Sequence, residues 1–283
     1  MLELYGQPTE KLRSNWAHVV RDQQCSFLGR KCFKVRKSDP AISIGTCSVD
    51  YGQQAQLIVI CPARFLERKQ IFLDCLHLLT THEPGNELHL VPEVAIPGGS
   101  VDYFLVSSRE GRVKDFVGVE LQAVDTTGTI WPARQRALRK VGVTPKDEAE
   151  AWSRPFGINW KMTAKTTLVQ LHHKIQTFEH VHKRLVLVLQ DRLLQYMSRE
   201  FSFSHLRTPG VLGDSMHFHS YSLGRSPEDS YRLALEKRLS TDADGIGRCL
   251  GLQAQAQVEL AQLMTTLETR ISPATLFSPF SAA

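Results

Sequence analysis

The sequence predicts an α/β (α+β) protein with a mixed central sheet flanked by helices. Two observations lead to this fold class. The middle of the chain reads as strands, then a helix, then a fully apolar strand, then another helix, which is the order expected when helices pack on a mixed sheet. With 42% hydrophobic and 22% charged residues, the composition is that of a packed protein and excludes a mainly disordered or low-complexity chain.

A turn-rich segment at residues 81–86 divides the chain. Its 283 residues allow one large domain, or a small domain and a larger one. The cysteine-rich part lies before this segment and the predicted strands follow it. We therefore predict an N-terminal four-cysteine domain over residues 1–85 and a second domain over residues 86–283.

Each element of the second part has its own pattern. Strands are predicted at residues 88–96, 101–107 and 116–124, and the Pro-Gly-Gly-Ser turn joins the first two. A helix is predicted over residues 163–182, where apolar residues recur three and four positions apart. Residues 185–189 read as a buried strand. Residues 198–230 are expected to form short strands and loops, and residues 250–267 a surface or interface helix.

The first 24 residues lack the apolar core of a secretory signal, and no later stretch has 18 continuous apolar residues. We therefore expect a cytoplasmic protein without a membrane partner. Thiols stay reduced in that compartment, so clustered cysteines are more readily metal ligands than disulfides.

Four of the six cysteines fall in one window: Cys25, Cys32, Cys47 and Cys61. Their spacing differs from the paired Cys-x-x-Cys knuckles of zinc fingers. Four thiolates suit a tetrahedral metal ion, and zinc is the first expectation from chemistry alone, with iron as the alternative. The competing interpretation is that these are unrelated buried thiols, as Cys75 and Cys249 are expected to be.

Positive charge is concentrated, although the formal net charge is only +5. Basic residues crowd positions 11–37, which is an electrostatic footprint for phosphate or simply a solvated basic face. A second group is expected to grip DNA phosphates or to read guanines, with a plain helix face as the alternative. Its members are Arg134, Arg136, Arg139 and Lys140. Lys161 and Lys165 are expected to contact phosphates as point charges.

Carboxylates gather on the first strands after the boundary. Asp102 follows the glycine turn, and Glu120 shares a strand face with Gln122 because side chains two apart point the same way. Glu93 lies in the preceding strand and adds a third acid. Such oxygen ligands suit Mg²⁺, which lowers the pKa of a bound water and stabilises charge on a phosphodiester. A solvated strand face is the alternative.

Together, these residues resemble the NotI-type restriction endonucleases, a branch of the PD-(D/E)xK nuclease superfamily. The N-terminal block consists of Cys25-Ser-Phe-Leu, Cys32-Phe-Lys, Gly45-Thr-Cys47-Ser-Val and Leu57-Ile-Val-Ile-Cys61-Pro62. The second block consists of Asp102-Tyr103, Gly118-Val119-Glu120-Leu121-Gln122-Ala123-Val124-Asp125 and Gly128. Residues 159–162 and the helix after them are also similar to the family.

The resemblance implies a fold, a site and an activity. It implies a PD-(D/E)xK core behind a small N-terminal domain in which the four cysteines hold iron. Asp102 and Glu120 would bind the catalytic Mg²⁺, Gln122 would take the place usually held by lysine, and Glu93 would be the additional acid. The implied activity is that of a Type II restriction endonuclease. It would be a homodimer that cuts double-stranded DNA at a GC-rich palindrome and is paired with a cognate DNA methyltransferase.

The glutamine at position 122 predicts a role in positioning. Unlike lysine it is neutral and can both donate and accept, so it can orient the attacking water without acting as a general base. Two other functions stay open on the sequence: a repair or recombination nuclease of the same superfamily, and a non-catalytic, metal-stabilised DNA-binding regulator.

Overall fold

The six long strands that follow the turn-rich segment form one sheet, and two short strands pair separately. In the computed structural model, which describes residues 1–10, 15–143, 155–227, 230–252, 264–265 and 267–270, the strand order is β16-β15-β14-β11-β10-β9. The elements of this half are β9 (Glu87–Ile96), β10 (Gly99–Arg109), β11 (Arg112–Gln122), β12 (Thr126–Thr127), α3 (Trp131–Lys140), β13 (Gly157–Ile158), α4 (Trp160–His180), β14 (Arg184–Gln190), α5 (Asp191–Glu200), β15 (Met216–Ser226), β16 (Ser230–Thr241) and α6 (Ala243–Cys249).

Chain direction within this sheet is mixed, as predicted. β9, β10 and β11 form an antiparallel meander. α4 then carries the chain back, so β14 lies parallel to β11, and α5 does the same for β15. β16 returns antiparallel at the edge. The predicted α/β (α+β) class is therefore confirmed.

Both faces of the central strand β14 are covered. Residues Leu185 to Gln190 are all buried, which explains why this strand reads as an apolar run. One face packs on α4 and α5, with Leu168, Ile175 and Phe178 at the contact. Gly118 in β11 makes room there, because a Cβ atom at that position would collide with the Phe178 ring.

The N-terminal part covers the other face. Its elements are β1 (Glu3–Leu4), β2 (Gln7–Pro8), α1 (Trp16–Asp22), β3 (Gln24–Cys25), β4 (Arg30–Lys31), β5 (Val35–Arg36), β6 (Asp39–Ser43), β7 (Thr46–Tyr51), β8 (Gln56–Val59), a 3-10 helix (Pro62–Lys69), α2 (Gln70–Leu73) and a second 3-10 helix (Leu76–Leu78). Phe65, Ile71 and Leu78 share one buried cluster with Val119 and Val188 of the large sheet. The boundary at residues 81–86 falls before β9 and stays a prediction.

A fully buried arginine joins the two parts. Arg64 has 0% exposure, and its guanidinium donates to the carboxylates of Glu3 at 2.7 Å and Glu67 at 2.9 Å. Its remaining nitrogen donates to the backbone oxygen of Tyr231 on β16 at 2.8 Å. A buried charge is tolerated only when it is paired and hydrogen-bonded in this way.

A glutamine side chain makes the second joint. At the end of β14, Gln190 donates to the Leu57 oxygen at 2.6 Å and accepts from the Val59 backbone N–H at 2.8 Å. The side-chain amide thus makes the same two hydrogen bonds to β8 that the backbone of a neighbouring strand would make. Together with Arg64, it holds the N-terminal sheet (β2-β1-β7-β8) against the large one.

The prediction for residues 198–230 is wrong in one respect. β15 is an eleven-residue strand, not a set of short pieces. Its alternation is hidden because Met216 and Phe218 face the helices while the polar His217 and His219 are buried at 2% and 0% exposure on the other face. The predicted helix at residues 250–267 lies mostly outside the described residues. Within the described ranges, no helix is both long and apolar enough to span a bilayer.

These two histidines predict a specific acid sensitivity. Burial lowers the pKa of His219 to about 3, reinforced by the charge of Arg238, and lowers that of His217 to about 4. Because the folded values lie below the ordinary 6.5, the unfolded chain takes up the protons first as pH falls. Each histidine should therefore lower the free energy of unfolding by about 1.4 kcal/mol per pH unit from pH 6.5 down to about 4.

We expect His219→Gln to remove one such slope, since glutamine does not titrate. The measurement is urea unfolding at several pH values, with the exposed His180→Gln as the matched control. Equal pH dependence in wild type and His219→Gln would contradict the prediction.

Candidate functional site

Two carboxylates meet where β10 and β11 pair. Tyr103 lies opposite Val119, which brings the adjacent Asp102 and Glu120 to neighbouring positions. Asp102 accepts from the Leu121 backbone N–H at 2.8 Å. Glu120 accepts from Lys174 of α4, with 2.6 Å between Oε1 and Nζ. The register of β9 on β10 places Glu93 across from Asp102, at a left-handed φ of 53°.

The carboxylate cluster, Glu93, Asp102 and Glu120, is short of positive charge. Burial raises the pKa of Glu120 to about 7; the hydrogen bond from Lys174 opposes this rise, and the charge of Asp102 adds to it. Burial also raises the pKa of Asp102, the Leu121 N–H and Lys174 lower it, and Glu93 raises it further. Desolvated acids that repel one another attract a cation.

Gln122 lies at the rim of the cluster. Its amide nitrogen donates to the Ala123 backbone oxygen at 2.6 Å, and the side chain is partly exposed. A small hollow beside it is lined by Glu120, Thr167, Gln170 and Lys174. Gln122, which also lines this hollow, is neutral, and the positive charge at the hollow comes from Lys174 of α4.

Lys174 is the residue that sequence reasoning missed. It lies on the buried face of α4, three positions after Leu171 and four before Phe178, and is only 8% exposed. The sequence does carry one signal of its role: Lys174 is a lysine among the apolar residues that form the buried face of α4. The pattern does not show which carboxylate the helix will meet, because that depends on how α4 docks on the sheet.

The glycine turn between β9 and β10 brings the sheet close to α4. Gly98 has a φ of +92°, and a Cβ atom there would collide with the backbone oxygen of His173. A Cβ atom at Gly99 would lie 3.1 Å from the Lys174 side chain. Thr177 donates to the Pro97 oxygen at 3.0 Å and closes this contact. The turn therefore fixes the part of α4 that carries Lys174.

All four N-terminal cysteines are buried and unbridged. Burial raises the pKa of Cys47 well above its ordinary value, and the neighbouring Cys61 and Cys25 raise it further. Cys32 acts on both Cys25 and Cys61 in the same way. The four sulfurs are thus electrostatic neighbours.

Backbone N–H groups oppose the rise in pKa at three of these cysteines. Those of Phe27 and Leu28 lower the pKa of Cys25, that of Ala63 lowers the pKa of Cys61, and that of Gly6 lowers the pKa of Cys47. Such donors stabilise thiolates and are typical around metal-bound sulfur. The donor chemistry therefore fits a transition-metal ion. Within the described ranges, however, no three Cys, His, Asp or Glu side chains already form a group able to hold a metal.

The predicted DNA-contacting residues divide by exposure. Arg136, Arg139 and Lys140 of α3 are exposed, as are Lys161 and Lys165 of α4. Arg134 is only 2% exposed and donates to the Ile44 oxygen at 2.6 Å and the Tyr5 hydroxyl at 3.0 Å. We therefore expect a structural contribution from Arg134, which holds α3 against the N-terminal part.

A solvent-open cavity of about 1000 Å³ lies between β5 and the start of α3. Lys34, Arg36 and Lys37 line one side, and Asp125 and Trp131 line the other. The Arg36 guanidinium stacks 4.6 Å from the Trp131 ring centroid. Part of the basic N-terminal group therefore faces the chain that follows β11.

A mixed α/β protein with a desolvated carboxylate cluster and exposed basic side chains belongs to the class of proteins suited to act on nucleic acid. The family model described as Restriction endonuclease NotI matches residues 12–212, and the chain belongs to this family. A comparison with curated protein sequences finds no match. The protein is therefore a restriction endonuclease, a DNA-binding nuclease, and the resemblance seen in the sequence is confirmed at the level of the family.

The tight turn predicts a stability difference between two glycines. Gly98→Ala should lower the free energy of unfolding by about 2–4 kcal/mol, because it adds a collision with α4 to the strain of a positive φ. Gly111→Ala is the matched control: its φ is +70°, but a Cβ atom there meets nothing within 4 Å. Its cost should be only about 1 kcal/mol. Urea unfolding measures both, and equal losses would contradict the close approach to α4.

Proposed function

We propose that the protein is a Type II restriction endonuclease that hydrolyses double-stranded DNA with Mg²⁺. The observation that carries this proposal is the pair of desolvated carboxylates, Asp102 and Glu120, on adjacent strands of a chain in the NotI family. Carboxylate oxygens are the ligands that Mg²⁺ prefers. Family membership favours sequence-specific cleavage over a repair nuclease or a non-catalytic regulator.

The topology around these acids supports a PD-(D/E)xK core. The antiparallel meander β9-β10-β11, the helix α4 and the parallel strand β14 follow one another in the chain and pack together. Asp102 and Glu120 come from the second and third of these strands, and Gln122 lies two residues further on. We propose that this unit is the catalytic core.

The side chains of the cluster have distinct roles in hydrolysis. Asp102 and Glu120 would hold Mg²⁺, with Glu93 as the additional acid. When bound, the ion supplies Lewis acidity and compensates charge on the phosphate. Gln122 positions the attacking water through its amide. Water adds to phosphorus and releases a proton to solvent, the P–O bond to the leaving sugar oxygen breaks, and that oxygen takes up a proton from solvent.

The exposed basic residues would hold the DNA. Arg136, Arg139 and Lys140 on α3 and Lys161 and Lys165 on α4 are exposed and would contact phosphates or bases. A palindromic, GC-rich site would require two copies related by a two-fold axis, hence a homodimer. Such an enzyme would act in the cytoplasm beside a cognate DNA methyltransferase, which protects the host genome.

The four cysteines form the second proposed metal centre. Cys25, Cys32, Cys47 and Cys61 would hold a structural iron ion, with zinc as the alternative. The backbone N–H groups that lower the pKa of three of them, and their mutual proximity, support this proposal. The ion would hold together the short hairpins β3-β4 and β5-β6, which have little core of their own.

Neutralising either strand carboxylate should abolish cleavage. We expect Asp102→Asn and Glu120→Gln to lower the single-turnover rate by about 1000-fold or more, because several kcal/mol of charge stabilisation depends on the ion. DNA binding should persist. The exposed Glu110→Gln, in the turn at the other end of the same strands, is the control. Cleavage by either variant at the wild-type rate would contradict the site.

The pattern of products tests the class of nuclease. The purified protein is incubated with a GC-rich plasmid and Mg²⁺. Discrete bands support restriction, a smear supports a nonspecific nuclease, and binding without cleavage supports a regulator.

Loss of one thiolate should release the structural metal. We expect Cys47→Ser to lose iron or zinc and to lower the melting temperature, whereas Cys249→Ala, which removes a buried thiol outside the quartet, should retain the metal. Elemental analysis of both proteins measures the metal. Absence of iron and zinc from the wild-type protein would contradict the four-cysteine site.

A further inference from the structure

Lys174 holds an ammonium group inside the carboxylate cluster. Its Nζ atom lies 2.6 Å from Glu120 Oε1, and the two side chains are only 10% and 12% exposed. Its charge also acts on Asp102. In the described part of the chain, Lys174 is the hydrogen-bond partner that the structure gives to the Glu120 carboxylate. The two buried charges therefore depend on each other.

A second ion pair between a lysine and a carboxylate of β11 serves as a structural comparison for the pair of Lys174 and Glu120. Lys183 also lies 2.6 Å from a carboxylate of β11, that of Asp115. Asp115 additionally accepts from the backbone N–H groups of Thr81 and Phe116. Its carboxylate is thus hydrogen-bonded independently of the lysine. Glu120 has no such backbone donors among the described contacts, so it can exchange one cation for another.

The charge of the cluster leaves room for a divalent ion in addition to the ammonium. Glu93, Asp102 and Glu120 carry three negative charges when ionised, and Lys174 supplies one positive charge. The remaining two are balanced by one divalent ion. A phosphodiester then brings a further negative charge, which increases as water attacks phosphorus, and this charge needs a donor of its own.

Gln122 does not meet that need. Its amide is neutral, and its N–H donates to the Ala123 oxygen. The Lys174 stem, in contrast, is held in place where Gly99 approaches its Cε atom and Thr177 binds the Pro97 oxygen. The stem is thus confined, and its ammonium ends beside Glu120.

We propose that Lys174 is a catalytic residue that exchanges partners: its ammonium pairs with Glu120 in the free enzyme and donates to a non-bridging oxygen of the scissile phosphate when a divalent ion takes its place. This inference rests on the proposed nuclease function of the same carboxylates. It assigns to the helix the positive charge that the strand residue Gln122 lacks.

Removing the charge should move two measurements in opposite directions. In Lys174→Met the competing cation is gone, so Mn²⁺ should bind the DNA-free protein about tenfold more tightly, as followed by electron paramagnetic resonance. The single-turnover cleavage rate at saturating Mg²⁺ should fall by about 100-fold or more, as when one donor to a transition-state oxygen is removed. A purely structural lysine would not produce tighter Mn²⁺ binding together with slower cleavage.

Lys183→Met is the matched control. It breaks a pair of the same length on the same strand and should lower the melting temperature. Neither the Mn²⁺ affinity nor the cleavage rate should change by more than about threefold.

Lys174→Arg tests the same competition for Glu120 if Lys174→Met does not fold. A guanidinium can bind a carboxylate through two parallel hydrogen bonds, so it should compete more strongly than ammonium and weaken Mn²⁺ binding several-fold. Mn²⁺ affinity that does not increase in Lys174→Met or decrease in Lys174→Arg would overturn the proposal. So would cleavage by Lys174→Met within about threefold of wild type.

The wild-type protein separates this inference from the function on which it rests. If wild type binds Mn²⁺ and cleaves DNA while the lysine variants behave like wild type, the partner exchange is wrong and the nuclease assignment stands. If wild type neither binds Mn²⁺ nor cleaves DNA, the proposed function itself is wrong.

Discussion

The buried guanidinium of Arg64 is the interaction on which the relation between the two halves of the molecule depends. Without water, its charge must be met by protein, and Glu3, Glu67 and the Tyr231 oxygen meet it. These partners lie on β1, on the first 3-10 helix and on β16. Because Cys61 precedes that helix directly, one arginine places the cysteine segment relative to the far edge of the large sheet.

The buried charges of the carboxylate cluster must also be compensated by protein groups, but here the compensation is incomplete. The acids that Arg64 meets are also held by other donors, since Ser48 donates to Glu3 and the Leu233 backbone N–H donates to Glu67. Glu120 and Lys174 are also withdrawn from water, but the cluster carries more negative charge than one ammonium balances. A site of this kind sacrifices some stability in the free protein, and that excess charge is what attracts a cation.

Much of the large sheet could be predicted because the information is local. The alternation in β10 and β11, the glycine turn before Gly99 and the apolar run of β14 are each visible within about ten residues. The neighbouring positions of Asp102 and Glu120 follow from the same pattern. Lys174 and Arg134 could not be placed, because their surroundings are set by how helices dock on distant strands. β15 was partly missed because His217 and His219 are polar yet buried.

The joint at Gln190 bears on how such a protein can diverge. Both of its partners, the Leu57 oxygen and the Val59 N–H, are main-chain atoms, as is the Tyr231 oxygen that Arg64 binds. Main-chain groups are present whatever side chain a position carries. Substitutions along β8 and β16 can therefore accumulate without removing these hydrogen-bond partners. The surfaces of those strands can change between relatives while the two halves keep the same relative position.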